Sequence, residues 1–318
     1  MYRVRRGRAL IVAALALAVI YSVSGAGNDL FNRRAQISNN LDHLSVSGWH
    51  PGSGSAVSWP LQGQAALVLG NGRPAASTGE RPVPIASLAK VMTAYLTLKR
   101  YPLSDAQAGF TVTITAAEVQ AYADDVSEGQ SGVAVQSGEQ LTERQLLEAL
   151  LIPSGNNIAE ILAAQVAGSE PRFVAEMNAE ARMLGMTHTI YTDPSGFDSS
   201  TVSTAADQLL VFQQAMRFSV LRQIVSMASV TLPVAGTLTN TDPLIAEGYA
   251  GKTGSDSAAG ACLAFFTHVT IGGHRQTAVG VVLGQGQGSD TSALLGAAGE
   301  AALQLVASAT HRYRTDVH

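Results

Sequence analysis

The apolar pattern of this chain changes period twice, and the order of those periods limits the folds open to it. Near the start, "QAALVLGNGRPAAS" reads as two short strands around Asn71-Gly72, a strong hairpin signal, and Pro74 points to a sheet edge for the second strand. Leu88, Val91, Met92, Tyr95 and Leu96 then recur at helical spacing, so a helix is predicted over about 87–99, apolar enough around its circumference to be buried. A second helix starts at Thr142, where Gln145 completes a capping box, and ends at Pro153. Further helices are predicted over about 157–167, 171–184 and 204–217. The strand pattern returns late: "ACLAFFTHVT", a Gly272-Gly273 turn and "QTAVGVVLG" form a hairpin of buried strands, before a closing helix over about 290–309. Strands near both ends with helices between them imply a sheet assembled from the N- and C-terminal segments, with an all-helical region inserted.

Length and composition narrow the function classes. The 318 residues allow one large or two modest domains, and 46% hydrophobic with 14% charged residues describes a globular protein. Arg3, Arg5, Arg6 and Arg8 precede an apolar run over 9–23 and the small-residue exit "SGAG". Residues 1–26 therefore read as a signal peptide or an N-terminal membrane anchor, and the remainder is expected to be exported to the cell envelope or secreted. Without those four arginines the formal net charge of −4 becomes −8, which argues against a nucleic-acid partner. Residues 27–60 are polar and turn-rich, a flexible linker with an end-to-end distance of roughly 30 Å. A single domain is expected over 61–310, with a short tail over 311–318. The lone cysteine, Cys262, excludes an internal disulfide and reads as a buried small hydrophobe.

Seventeen arginines accompany only three lysines, Lys90, Lys99 and Lys252, so each lysine position asks for a reason. An arginine cannot lose its proton near neutral pH, whereas burial can drive one off an ammonium. Lys90 sits in "IASLAKVMTA", three residues after Ser87, and the two side chains share one helix face. A lysine with its free pKa of about 10.4 is neutral in only about one molecule in 2,500 at pH 7, a penalty near 4.6 kcal/mol. Apolar neighbours and a second positive charge both reduce that penalty, and Lys252 could supply the charge. Two further motifs follow: "PSGNN" with Ser154 and Asn156 between two helices, and "YAGKTGS" with Lys252, Thr253, Gly254 and Ser255 entering the strand pair. Ser-x-Asn is common in loops, and Lys-Thr-Gly is rarer but by itself could be a strand start. Their order, with 67 residues from Ser87 to Ser154 and 98 more to Lys252, decides the reading.

Together these motifs resemble the active-site-serine, penicillin-binding peptidases. More narrowly, "IASLAKVMTAYLTL", "LLEALLIPSGNN", "YTDPSGF", "LTNTD" and "YAGKTGSDSAAGACLAFF" are similar to the serine-type D-alanyl-D-alanine carboxypeptidases, over about residues 60–285. The resemblance implies an α/β protein of the α+β type, with a β-lactamase/transpeptidase-like, mostly antiparallel sheet flanked by helices. It implies Ser87 as acylated nucleophile, Lys90 as its base, and Ser154 as proton carrier towards the leaving group. Asn156 would hold the substrate backbone, Lys252 and Thr253 would bind the terminal carboxylate beside Gly254, and the N–H groups of Ser87 and Ser255 would form the oxyanion hole. The implied partners are a peptidoglycan stem peptide ending in D-Ala-D-Ala and β-lactams as covalent inhibitors. No cofactor or metal is implied.

Two positions depart from the family pattern: Asn157 stands where Asp is common, and Asp256 is expected to add a negative charge near the carboxylate-binding lysine. The short stretch after the last helix leaves membrane anchoring to residues 9–23. Two rivals share parts of this reading. A β-lactamase would carry a deacylating glutamate, and no Glu-x-x-Leu-Asn follows Ser154. A non-hydrolytic penicillin-binding or sensing domain would share every motif but would not turn over. "GQGQG" at 284–288 lacks dinucleotide-loop spacing, the seven histidines show no metal-ligand spacing, and His268 reads as structural.

Overall fold

The computed structural model describes residues 57–315 apart from position 289, with side chains as far as residue 310. The leader over 1–26, nearly all of the linker and residues 316–318 of the expected tail lie outside the described residues, while 311–315 continue the last helix. A five-stranded antiparallel sheet forms the centre. Its strands are β1 (Gln64–Leu69), β2 (Ala75–Ala76), β3 (Ala250–Asp256), β4 (Gly260–Ile271) and β5 (His274–Gln285). They lie in the order β2-β1-β5-β4-β3, so the two chain ends build one sheet as the sequence pattern implies. The Gly72 N–H donates to the Leu69 carbonyl at 2.8 Å in the first turn, and β2 is the predicted edge strand. Gly272 and Gly273, at φ +56° and +79°, make the two-residue turn between β4 and β5.

Both faces of the sheet are covered, which is why its strands read as continuous apolar runs. Along β1, Ala66 and Val68 join the larger core of the helical side. Ala65, Leu67 and Leu69 face the other way and pack with Leu294, Ala298, Ala302 and Leu305 of the last helix. That helix runs Thr291–Thr315. Thr291–Thr310 is long and apolar enough to cross a membrane, and its buried stripe on the sheet accounts for much of that composition. Cys262 is fully buried, and burial pushes its thiol up to about 12, as befits a packing residue.

The inserted region contains seven helices: α1 (Ala89–Arg100), α2 (Ala116–Ser127), α3 (Glu143–Leu151), α4 (Asn156–Ala167), α5 (Glu170–Met183), α6 (Ala205–Ala215) and α7 (Ser219–Val225). It is not all-helical as the sequence pattern implies: short antiparallel ribbons pair Val83–Pro84 with Val202–Ser203, Thr111–Thr113 with Gln140–Thr142 and Ser229–Leu232 with Gly236–Thr239, runs too short to show a strand period. Every residue of α1 from Ala89 to Leu98 is buried, including Lys90, Thr93 and Thr97. Threonine hydroxyls survive there because each finds a carbonyl: Thr97 donates to Thr93 at 2.8 Å and Thr93 to Pro194 at 2.6 Å. Helix α3 carries the predicted capping box between Thr142 and Gln145. Helix α2 has a second box, Thr115 with Glu118, and neither α2 nor α7 is among the predicted helices.

Glu143, the first residue of α3, is 1% exposed, and its Oε1 has no hydrogen-bond partner. Burial pushes this carboxyl up to about 7. Its folded-state pKa lies above the unfolded one, so the folded state holds the extra proton and stability falls as pH rises between about 4.5 and 7. In urea unfolding, Glu143→Gln should gain on the wild type as pH rises through that window and hold a constant advantage above it. The same difference at pH 4.5 and pH 8 would contradict this.

Candidate active site

Ser87 lies in a single 3-10 turn, Ala86–Leu88, that leads into α1. It is partly exposed, whereas its neighbours Ala86 and Leu88 are buried. Ala86 holds φ +45°, a left-handed conformation unusual for a residue with a Cβ. Two glycines let other backbone segments close on this turn. A Cβ on Gly196 would sit 1.9 Å from the Ala86 carbonyl oxygen, and one on Gly254 would sit 2.8 Å from the Ser87 nitrogen and 3.0 Å from the Ile85 oxygen. Gly254 therefore does what its place in the motif suggests: it allows β3, the edge strand, to pass directly against the Ser87 turn.

Lys90 is fully buried, with Nζ 2.8 Å from Ser87 Oγ. It donates to Asn156 Oδ1 at 2.6 Å and to the Ser195 carbonyl at 2.9 Å. Burial holds this amine well below the ordinary lysine range, and the Lys252 charge pushes the same way. Asp193 and Asp125 pull in the other direction, but their charges are outweighed.

Asn156, the first residue of α4, reaches Lys90, and Ser154 lies two residues before it in the loop from α3. Ser154 adopts φ +67°, and its buried Oγ has no hydrogen-bond partner. Asn156 has both ends of its amide engaged, Oδ1 by Lys90 and Nδ2 by Gln130 Oε1 at 2.7 Å. In this state it orients the lysine, which adds to the substrate-holding role that the sequence suggests. The neighbouring Asn157 exchanges both of its amide bonds with the Val133 backbone, accepting at 3.0 Å and donating at 2.9 Å. An ionised aspartate has no donor for the second bond, so the amide suits this chain's loop.

Lys252, Thr253, Gly254 and Ser255 lie on β3, the first three buried and Ser255 partly exposed. Lys252 Nζ donates to the Thr253 carbonyl at 2.7 Å. Burial lowers this amine to about 7, with the Asp242 charge opposing the shift. Asp242 therefore acts in the direction of the positive charge that the sequence reading suggests Lys252 could supply, and burial acts against it. The expected charge from Asp256 is relocated. Its Oδ1 accepts from the Ala258 and Ala259 N–H groups at 2.7 and 2.6 Å, capping the turn between β3 and β4, while the carboxylate acting on Lys252 is Asp242. His268 is exposed on β4 and lies 3.4 Å from Thr277 Oγ1, away from this chemistry.

Sequence reasoning missed the Asp193 turn as a working part. Asp193 Oδ2 accepts from the N–H groups of Ser195, Gly196 and Phe197 at 2.7 to 3.1 Å and from the Ser195 hydroxyl at 2.6 Å; Oδ1 accepts from Thr201 at 2.6 Å. This carboxylate fixes the carbonyls of Pro194 and Ser195, which receive Thr93 and Lys90. Thr241, whose hydroxyl lies 2.5 Å from Thr253 Oγ1, was likewise visible only as part of "LTNTD". Among the described residues no cluster of His, Cys, Asp and Glu could hold a metal ion.

A serine hydroxyl thus lies against a fully buried amine, with a lysine-bearing edge strand passing directly beside the same turn. The chain belongs to peptidase family S11, D-alanyl-D-alanine carboxypeptidase, whose family model matches residues 75–286. It is 36% identical over 185 residues to D-alanyl-D-alanine carboxypeptidase DacB2 of Mycobacterium tuberculosis, covering 55% of this chain and 59% of the relative. It is 32% identical to a D-alanyl-D-alanine carboxypeptidase of Streptomyces sp. strain K15, over 62% of this chain and 71% of that one. The crystal structure of the Streptomyces K15 DD-transpeptidase superposes with a TM-score of 0.64 at 25% identity, over 82% of this chain and 99% of that one. The first three curated relatives are matched over 59%, 42% and 35% of their own length.

Gly254→Ala should destabilise the protein by about 1 to 3 kcal/mol, because the new methyl meets backbone on the Ser87 turn that cannot swing aside. Chemical denaturation measures this, and an unchanged midpoint would contradict the close approach.

Proposed function

We propose that this protein is an exported serine D-alanyl-D-alanine carboxypeptidase. It removes the terminal D-alanine of peptidoglycan stem peptides through an acyl-enzyme on Ser87, and β-lactams acylate the same hydroxyl. The observation that carries this is the 2.8 Å approach of the fully buried Lys90 amine to Ser87 Oγ. Export rests on the arginine-led apolar run at the N-terminus.

The hydrogen bonds of Lys90 accommodate a neutral base. A neutral amine has two N–H groups and one lone pair. Asn156 Oδ1 and the Ser195 carbonyl can only accept, so they take the two hydrogens and leave the lone pair for the Ser87 hydroxyl. Lys90 then takes the Ser87 proton as Oγ attacks the carbonyl carbon of the penultimate D-alanine. The backbone N–H groups of Ser87 and Ser255 would receive the oxyanion. As the intermediate collapses, the C–N bond to the terminal D-alanine breaks and its nitrogen takes a proton by way of Ser154. The free Ser154 hydroxyl is suited to this, since no hydrogen bond has to be broken first. Lys252 and Thr253 would grip the departing residue's carboxylate, whose arrival raises the Lys252 pKa from about 7 and secures its charge. Water attacking the ester then frees the enzyme.

Incubation with penicillin followed by peptide mapping in the mass spectrometer should place one adduct on Ser87; no adduct, or one elsewhere, refutes the assignment. Release of D-alanine from a pentapeptide should accompany it, and acylation without release would make the protein a binding domain. Lys90→Arg keeps a positive charge but cannot supply a lone pair, so acylation should fall by about 10² to 10⁴-fold. A rate within a few-fold of wild type would contradict the neutral-base role.

A further inference from the structure

The Asn156 amide that meets Lys90 is itself held from outside. Gln130 lies in the loop after α2, and its Oε1 accepts from Asn156 Nδ2 at 2.7 Å. The other end of the same side chain is engaged too: Gln130 Nε2 donates to Glu128 Oε2 at 3.0 Å. Backbone bonds fix where Gln130 stands. Its N–H donates to the Asp125 carbonyl of α2 at 2.9 Å, and the Asn156 N–H donates to the Ser131 carbonyl at 2.7 Å. With the two bonds between Asn157 and Val133, residues 130–133 run against the first two residues of α4.

A side-chain amide has a donor end and an acceptor end of nearly the same shape, so its partners decide which way it points. A carboxylate only accepts. Glu128 therefore takes the NH2 of Gln130 and leaves its oxygen facing inwards. That oxygen takes the NH2 of Asn156, which turns Asn156 Oδ1 towards Lys90 Nζ at 2.6 Å. The direction matters because a neutral amine has one lone pair. With Oδ1 facing it, Lys90 directs one N–H to Asn156 and one to the Ser195 carbonyl, and the lone pair is left for the Ser87 hydroxyl at 2.8 Å. A reversed Asn156 would present N–H groups that compete with the Ser87 proton for that lone pair.

We propose that Gln130 is a positioning residue: its bond to Asn156 fixes the direction of that amide and so keeps the lone pair of Lys90 aimed at Ser87. Gln130 touches none of the reacting atoms and acts only through Asn156. The inference rests on the carboxypeptidase reading for the work Lys90 does; the direction of the amide does not.

Two substitutions in the full chain separate the hydrogen bond from charge. Gln130→Glu keeps an acceptor against Asn156, whereas Gln130→Lys leaves only a donor. The rate of Ser87 acylation by penicillin is followed over about pH 6 to 10 and compared at its plateau, so that a displaced Lys90 titration is not read as a lost base. At the plateau Gln130→Glu should acylate at least about tenfold faster than Gln130→Lys. Charge alone predicts the reverse order, since a cation near Lys90 favours the neutral amine and an anion opposes it. Equal rates, or a faster Gln130→Lys, overturn the proposal. A second readout needs neither variant nor turnover: in the wild type, the strongest NMR contacts of the Asn156 NH2 protons should be with the Gln130 side chain. Strongest contacts with Lys90 overturn the proposal equally. A wild type that penicillin does not acylate, with the amide as described, refutes the carboxypeptidase reading alone; acylation at Ser87 with the amide reversed refutes this inference alone.

Discussion

A buried amine that touches a serine hydroxyl, with no carboxylate in contact, is the constraint around which the rest of the molecule is arranged. An ion-paired lysine would be cheaper to bury and useless as a base, because pairing restores its proton. Lys90 is instead surrounded by hydrogen-bonding groups that carry no charge: an amide oxygen, a backbone carbonyl and the hydroxyl it must activate. Asp193 is near enough to act on it, yet its oxygens are taken by four backbone or hydroxyl donors of its own turn and by Thr201. The negative charge is spent on rigidity rather than on the lysine.

That arrangement asks a great deal of the fold. A helix buried on every side needs a sheet on one flank and helices on the others, which a chain with both termini in one sheet and a helical insert supplies. Three segments far apart in sequence must then converge on the first turn of α1. Gly196 and Gly254 permit that convergence, since a methyl at either would strike backbone of residues 85–88. The left-handed conformations of Ala86 and Ser154 mark the same convergence.

The architecture was largely readable from the sequence because it rests on local signals. Asn71-Gly72, Gly272-Gly273 and the Thr142 capping box each fix a boundary through chemistry within four residues. The Thr115-Ala-Ala-Glu118 box carries the same signature, but α2 presents a largely exposed surface with few apolar repeats, so no helical period marks it in the sequence. The three motif residues Ser87, Ser154 and Lys252 were found through spacing and through the scarcity of lysine. What stayed hidden depends on contacts across long separations. Nothing local to Asp193 reveals that its turn receives Lys90 from 105 residues away, and nothing local separates Asp256, which caps a turn, from Asp242, whose charge acts on Lys252.

The most direct test of the central claim is the pH dependence of Ser87 acylation by a β-lactam. With Lys90 neutral, the rate reaches its plateau at or below neutral pH, because the base has already lost its proton there. A rate that climbs about tenfold per pH unit from 7 towards 10 would report a lysine of ordinary basicity and contradict the account.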